Sequence, residues 1–179
     1  MKLGPPPVAG EDRELPEEGL TEAIITDVKP VTKPQQFWKD SSKPEGQMEW
    51  SMVVREGEAK GFPLKLWTGD AVGRHPKNKL VKLLKVVDST FSVDEGFFGN
   101  TEEERYENLR DRTIRKPLRI IITHEVKPDK EDKTRTYTVA KVTDSFLRTT
   151  KPDLDVAEQL LTMGATEIGS TEPPPGLPL

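Results

Sequence analysis

Met48-Glu49-Trp50-Ser51-Met52-Val53-Val54-Arg55 alternates apolar and polar positions, and Phe62-Pro63-Leu64-Lys65-Leu66-Trp67-Thr68 follows after a short polar gap. A period of two is that of a strand with one face on a core. Met48, Trp50, Met52 and Val54 therefore share a core face. In the second run Leu64 and Leu66 point one way, Lys65 and Trp67 the other. Glu56-Gly57-Glu58 has turn chemistry and Lys60-Gly61 restarts the chain, so the two runs are consecutive strands.

Working outward, Leu20–Val28 is rich in Ile and Val and reads as an earlier strand that Pro30 ends. Residues 30–47 read as a loop carrying Phe37-Trp38-Lys39. On the other side Gly69 and Gly73 break the pattern, and Pro76 suits the first turn of a helix. Leu80, Leu83, Leu84 and Val87 then recur at helical spacing, with Lys77, Lys79, Lys82 and Lys85 mostly off that stripe. Residues 88–113, with Phe91, Phe97 and Phe98 among acidic residues and a short helix over Glu102–Leu109, read as an insertion or lid. Pro117–Val126 and Arg135–Val142 are two further strands around a hairpin-type loop at Pro128–Asp132. Asp153–Met163 has the pattern of a short amphipathic helix. The order strand–loop–strand–strand–helix–strand–strand predicts a mainly β fold: a five-stranded OB-like β-barrel with one helix between strands three and four. The expected organisation is a disordered leader at 1–18, an OB-like domain at 19–148 with the 88–113 insertion, and an acidic, Pro-rich tail at 149–179.

The chain has 179 residues, 33% hydrophobic and 32% charged, with 16 prolines gathered largely outside the candidate strands and helix. That suits one domain with extended ends, Gly4-Pro5-Pro6-Pro7 at one and Pro173-Pro174-Pro175 at the other. There are no cysteines, which excludes disulfides, thiolate chemistry and Cys-based zinc sites. No apolar run approaches the roughly 20 residues that span a bilayer, and the N-terminus does not read as a signal sequence. The expectation is a soluble cytoplasmic protein with no membrane partner. The net charge is −4, but Lys60–Lys85 carries Lys60, Lys65, Arg74, Lys77, Lys79, Lys82 and Lys85 against Asp70 alone, while Pro152–Leu179 has acidic residues and no Lys or Arg. A basic centre between acidic flanks points to a polyanionic partner, with the acidic tail a competitor for the same groove.

Groups for catalysis are few. The histidines are His75, before the helix, and His124, on the expected core side of strand four; no nucleophile, phosphate-loop or dinucleotide pattern appears. Glu102-Glu103-Glu104 reads as a solvated run, because three consecutive helical carboxylates do not face one ion. The expectation is a protein that is not an enzyme and holds no metal or cofactor. The binding constellation is fuller. Single strands are held by cations for phosphates and flat rings for unstacked bases. The one–two loop offers Phe37, Trp38 and Lys39, and strand three offers Lys65 and Trp67; Trp38 and Trp67 are the rings expected to stack on bases. Strands four and five and their loop add Arg119, Lys133, Arg135, Tyr137 and Lys141, with Tyr137 either stacking or core.

Gly19-Leu20-Thr21-Glu22-Ala23-Ile24-Ile25, Glu58-Ala59-Lys60-Gly61-Phe62-Pro63-Leu64, Asn78-Lys79-Leu80-Val81-Lys82-Leu83-Leu84 and Arg115-Lys116-Pro117-Leu118-Arg119-Ile120 resemble a family of phage and prophage proteins of OB-like fold. This DUF669-like family is regarded as single-stranded DNA-binding. The resemblance is one of pattern and order over about residues 15–148. It implies sequence-nonspecific binding of single-stranded DNA in phage-type replication or recombination, in the host cytoplasm, with replication or recombination proteins as further partners and an oligomer allowed. The long insertion and the Pro-rich one–two loop depart from the family. The alternative is an OB-fold protein–protein interaction module, or a phage structural or accessory protein, without nucleic-acid binding.

Overall fold

The computed structural model describes residues 15–93 and 100–166, the side chains of 161 and 163–166 excepted. Phe97 and Phe98 lie outside the described residues. The element order is β1 (Gly19–Thr32), a single 3-10 turn (Gln35–Phe37), β2 (Gly46–Val54), β3 (Pro63–Thr68), α1 (Lys79–Val87), α2 (Glu102–Thr113), β4 (Pro117–Pro128), β5 (Thr136–Arg148) and α3 (Val156–Thr166). The fold is mainly β. The five strands form one antiparallel sheet in the order β3-β2-β1-β4-β5. β3 and β5 approach one another, but no ladder joins them among the described residues, so the sheet is open. Two helices, not one, separate β3 from β4.

The alternation of β2 and β3 places Met48, Trp50, Met52, Val54, Leu64 and Leu66 in the core. Ala23, Ile25 and Val28 of β1 and Leu118, Ile120 and Ile122 of β4 meet them. The Trp50 indole N–H donates to Thr68 Oγ1 at 3.0 Å, so its polar atom is satisfied where it is buried. Gly57 (φ 78°) and Gly61 (φ 86°) supply the left-handed positions of the β2–β3 turn. α1 seals the core with Leu80, Leu83 and Leu84. Its N-cap is Asn78, whose side chain accepts from Val81 N at 3.0 Å. Pro76 thus stands in the turn ahead of the helix rather than in its first turn, beside His75, whose Nδ1 accepts from Lys77 N at 3.1 Å.

β1 does not stop at Pro30. It pairs with β2 as far as Thr32, with one extra residue, Thr26, between the Ile25 and Asp27 pairs. The pairing with β4 ends at Ile24 opposite Pro117. Beyond that point β1 has no strand on the β4 side, and proline is tolerated where no ladder partner waits. Ile25 instead exchanges backbone hydrogen bonds with the 115–116 link, donating to Lys116 O at 3.1 Å and accepting from Arg115 N at 2.8 Å. Val28 O accepts from Tyr106 Oη at 2.6 Å and Arg110 Nη1 at 2.9 Å, and Arg110 pairs with Asp27. α2 therefore stands where a strand would continue. Its start is set by Thr101, which accepts from Glu104 N, and by Glu104, which accepts from Asn100 N.

β5 continues past Val142 to Arg148. Ile122 pairs with Val142 and Ile120 with Phe146, so residues 143–145 bulge opposite a single β4 residue. Asp144 in that bulge meets Lys79 at 2.8 Å, which holds its carboxyl below the usual range. At the other end β4 and β5 run beyond Ile122, the partner of Gly19, as a two-stranded ribbon. His124 lies on this ribbon and is exposed: it keeps the core-side parity of the strand but sits past the end of the core. Its Nε2 is 2.8 Å from Pro16 O, and its backbone N donates to Glu18 Oε1.

The face of β1 opposite the core is also buried at Glu22 and Ile24. Residues 149–162 fold back across it. Arg55, Glu22 and Glu158 are almost fully buried together. Arg55 is ion-paired with Glu22 and Glu158 and donates to the carbonyls of Lys151 and Asp153. Glu22 accepts from Thr149 Oγ1 and from Thr150 N and Oγ1. Glu158 also accepts from Asp155 N, while Asp155 accepts from Glu158 N at 2.8 Å, a reciprocal cap that starts α3. Removing one partner from such a cluster strands the remaining charges. Arg55→Ala is expected to lower the unfolding free energy by about 3–5 kcal/mol, and Lys65→Ala, a half-exposed cation, by less than about 1 kcal/mol. Urea melts showing equal losses would contradict this account.

Candidate nucleic-acid interface

The second half of the same sheet face is open. Register aligns Lys29 with Glu49, and Glu49 with Trp67, in one row across three strands; Val31 and Gln47 form the next row. These side chains face outward because their neighbours Val28, Met48, Trp50, Leu66 and Thr68 face the core. Trp67 remains 45% exposed, as its alternation with Leu66 predicts.

Glu49 organises the row. Its Oε1 lies 2.7 Å from Lys65 Nζ and 3.6 Å from Lys29 Nζ. The hydrogen bond from Lys65, aided by the charge of both lysines and by the Trp67 side chain, holds its carboxyl below the usual glutamate range against the opposing effect of burial. Lys65 is therefore not a free cation but one half of a cross-strand ion pair.

The β1–β2 loop closes over the end of this row. Lys33 N donates to Glu45 O at 2.9 Å. Glu45 also accepts from Lys33 Nζ at 3.1 Å and from Lys39 N at 2.7 Å. The backbone N–H of Lys39, then the Lys33 ammonium, keep the Glu45 carboxyl below its usual range. The Trp38 indole N–H donates to Lys33 O at 2.7 Å and its ring is half-buried. Trp38 thus fastens the loop to itself. Phe37, its neighbour, is the ring the loop presents, 63% exposed. Phe37 and Trp67, thirty residues apart in sequence, line one concavity of about 600 Å³ with Lys33, Pro34, Val31, Gln47 and Glu49.

The remaining candidate residues lie elsewhere. Arg119 pairs with Glu22, seven positions along β1 from Lys29 and so about 20 Å away at strand rise, and its Nε donates to Arg148 O at 2.7 Å. Lys133, Arg135 and Tyr137 belong to the β4–β5 ribbon and its loop, where Arg135 pairs with Asp132. Lys141 pairs with Glu125 at 3.8 Å and lies, with Lys79 and Lys82, near Asp144. Among the described residues no hydrogen bond or ion pair links these side chains to the Phe37–Trp67 concavity. Sequence reasoning misses Lys29, Gln47 and Glu49, and also Lys33, which follows the end of β1 and carries no strand signal. The one signal for the first three was period two: once Trp67 is taken as outward, its cross-strand neighbours must be outward too.

No group of three or more His, Asp or Glu side chains that would hold a metal occurs among the described residues, and none of their helices is long and apolar enough to cross a membrane. No family model matches the chain, and no curated protein matches it.

The Glu49 carboxyl is depressed in the folded state, so its ionised form stabilises the row above the ordinary glutamate pKa of about 4.3. That contribution is lost as pH falls through the lower folded value. The Trp67 indole N–H proton resonance should hold steady from neutral pH to about pH 4.3 and shift below it. In Glu49→Gln it should not titrate there; an unchanged titration would remove Glu49 from the row.

Proposed function

We propose that this chain is a sequence-nonspecific single-stranded DNA-binding protein on an OB-like barrel, acting in phage-type DNA replication or recombination in the host cytoplasm. It is not read as an enzyme. The strand order β3-β2-β1-β4-β5 and the approach of β3 to β5 support the barrel reading. The family resemblance rests on the sequence segments quoted above. The observation that carries the function is the pairing of Phe37 and Trp67 in one concavity, flanked by Lys29, Lys33 and Lys65. Two exposed rings beside a row of cations are what an unstacked, charged strand needs.

In this reading bases stack on Phe37 and Trp67, while Lys29, Lys33 and Lys65 face the phosphates. Trp38 acts through Phe37 by fixing the loop. Arg119, Lys133, Arg135, Tyr137 and Lys141 extend the path only for a longer strand. A protein-docking module is the second reading, favoured by Val126 (64% exposed) and Tyr137 on the ribbon.

Fluorescence anisotropy with a mixed-sequence single strand should show binding that weakens with salt. Three phosphate contacts give a log–log slope of about −2. Trp67→Ala and Phe37→Ala should each weaken binding by about tenfold, and Trp38→Phe by less. No binding at low salt would discard the reading and favour docking to protein.

A further inference from the structure

We infer that one subsite of this otherwise nonspecific path, the Phe37–Trp67 concavity, has a modest preference for bases carrying an exocyclic amine, cytosine over uracil or thymine in the pyrimidine series, through the carboxylate of Glu49. The inference rests on the single-strand reading above and specifies its ligand.

A carboxylate in the middle of a phosphate-binding row is unexpected. It cancels part of the charge of Lys29 and Lys65 and repels a phosphate. Its position suits a base edge better than a backbone. Glu49 stands directly across from Trp67 in the β2–β3 register and lines the same concavity as Phe37. A base lying on the Trp67 ring has its edge over the neighbouring row position. The Glu49 side chain is mostly buried, 13% exposed, and both ammonium groups beside it sit on one oxygen, Oε1: Lys65 at hydrogen-bond distance, 2.7 Å, and Lys29 at 3.6 Å. An ionised carboxylate offers about four lone-pair positions and no proton. The lone pairs left to it can only accept.

That asymmetry separates the pyrimidines. Cytosine presents an N4 amine, a donor, where uracil and thymine present the O4 carbonyl, an acceptor. An amine beside Glu49 gains a charge-assisted hydrogen bond; a carbonyl oxygen there meets negative charge without a proton between them. Ring area, and with it stacking on Trp67, is nearly the same for cytosine and uracil, so the choice falls to the polar edge, where the Lys65 and Lys29 ammonium groups are already turned to Glu49 and the carboxylate is the acceptor. Gln47, in the next row, both donates and accepts and discriminates neither.

The test is anisotropy with labelled oligo(dC) and oligo(dU) of about 15 nucleotides, at a mildly alkaline pH that keeps cytosine unprotonated. Oligo(dC) is expected to bind about fivefold tighter. Glu49→Gln should bring the ratio close to one, whatever it does to absolute affinity, because an amide can offer either its N–H or its carbonyl. Equal binding of both oligonucleotides by the unaltered protein would overturn the selectivity and leave the single-strand reading standing. A dC preference that survives Glu49→Gln would overturn the role of Glu49. Binding of neither would overturn the single-strand reading and the selectivity with it.

Discussion

β1 has to find hydrogen-bond partners on both sides of a fourteen-residue backbone, and the rest of the molecule is arranged around that requirement. β2 serves one side along most of its length. The other side is served in two parts: β4 as far as Ile24, then the 115–116 link and the Tyr106 and Arg110 side chains of α2. Without α2 the backbone around Val28 would lose its partners on that side, and an unpaired buried carbonyl is costly. The segment between α1 and β4 is therefore structural where it meets β1. It lets β1 extend to Thr32 and carry Lys29 and Val31 into line with Trp67.

The outward face of the sheet is divided by this long strand. Over the first half, residues 149–162 lie across β1 and bury Glu22, Arg55 and Glu158. Over the second half no segment crosses the sheet among the described residues, and Lys29 and Trp67 stay open to solvent beside the mostly buried Glu49. The chain's C-terminal charge is accordingly committed, in part, to a buried internal partner. One carboxylate of the acidic C-terminal stretch, Glu158, is bound to Arg55.

The legible parts of the fold were those where one physical rule acts alone. Period two placed β2 and β3, and the Leu80–Val87 stripe placed α1. Misreadings came where two rules compete. Pro30 ends a strand flanked on both sides, but β1 is flanked on one side there. Thr143-Asp144-Ser145 reads as the polar end of a strand, but a bulge carries the chain through it and returns Phe146 opposite Ile120. In the loop, Trp38 reads as the ring that stacks, but its indole N–H is bound to Lys33 O, and Phe37 is the ring left exposed. Arg55 and Glu158 lie 103 residues apart; no local pattern joins them, although the Asp155–Glu158 spacing did carry the signal of a helix start.

Glu158 has a double assignment. The carboxylate that caps the first turn of α3 is also the one that neutralises Arg55. Nucleating a short helix is unfavourable in isolation, and burying Arg55 is unfavourable without its carboxylates. Each process supplies what the other lacks. Helix formation and docking are therefore a single event, and the α3 segment belongs to one cooperative unit with the sheet face beneath it. Opening α3 therefore means breaking the contact to β1 as well, the coupling that makes a foldon.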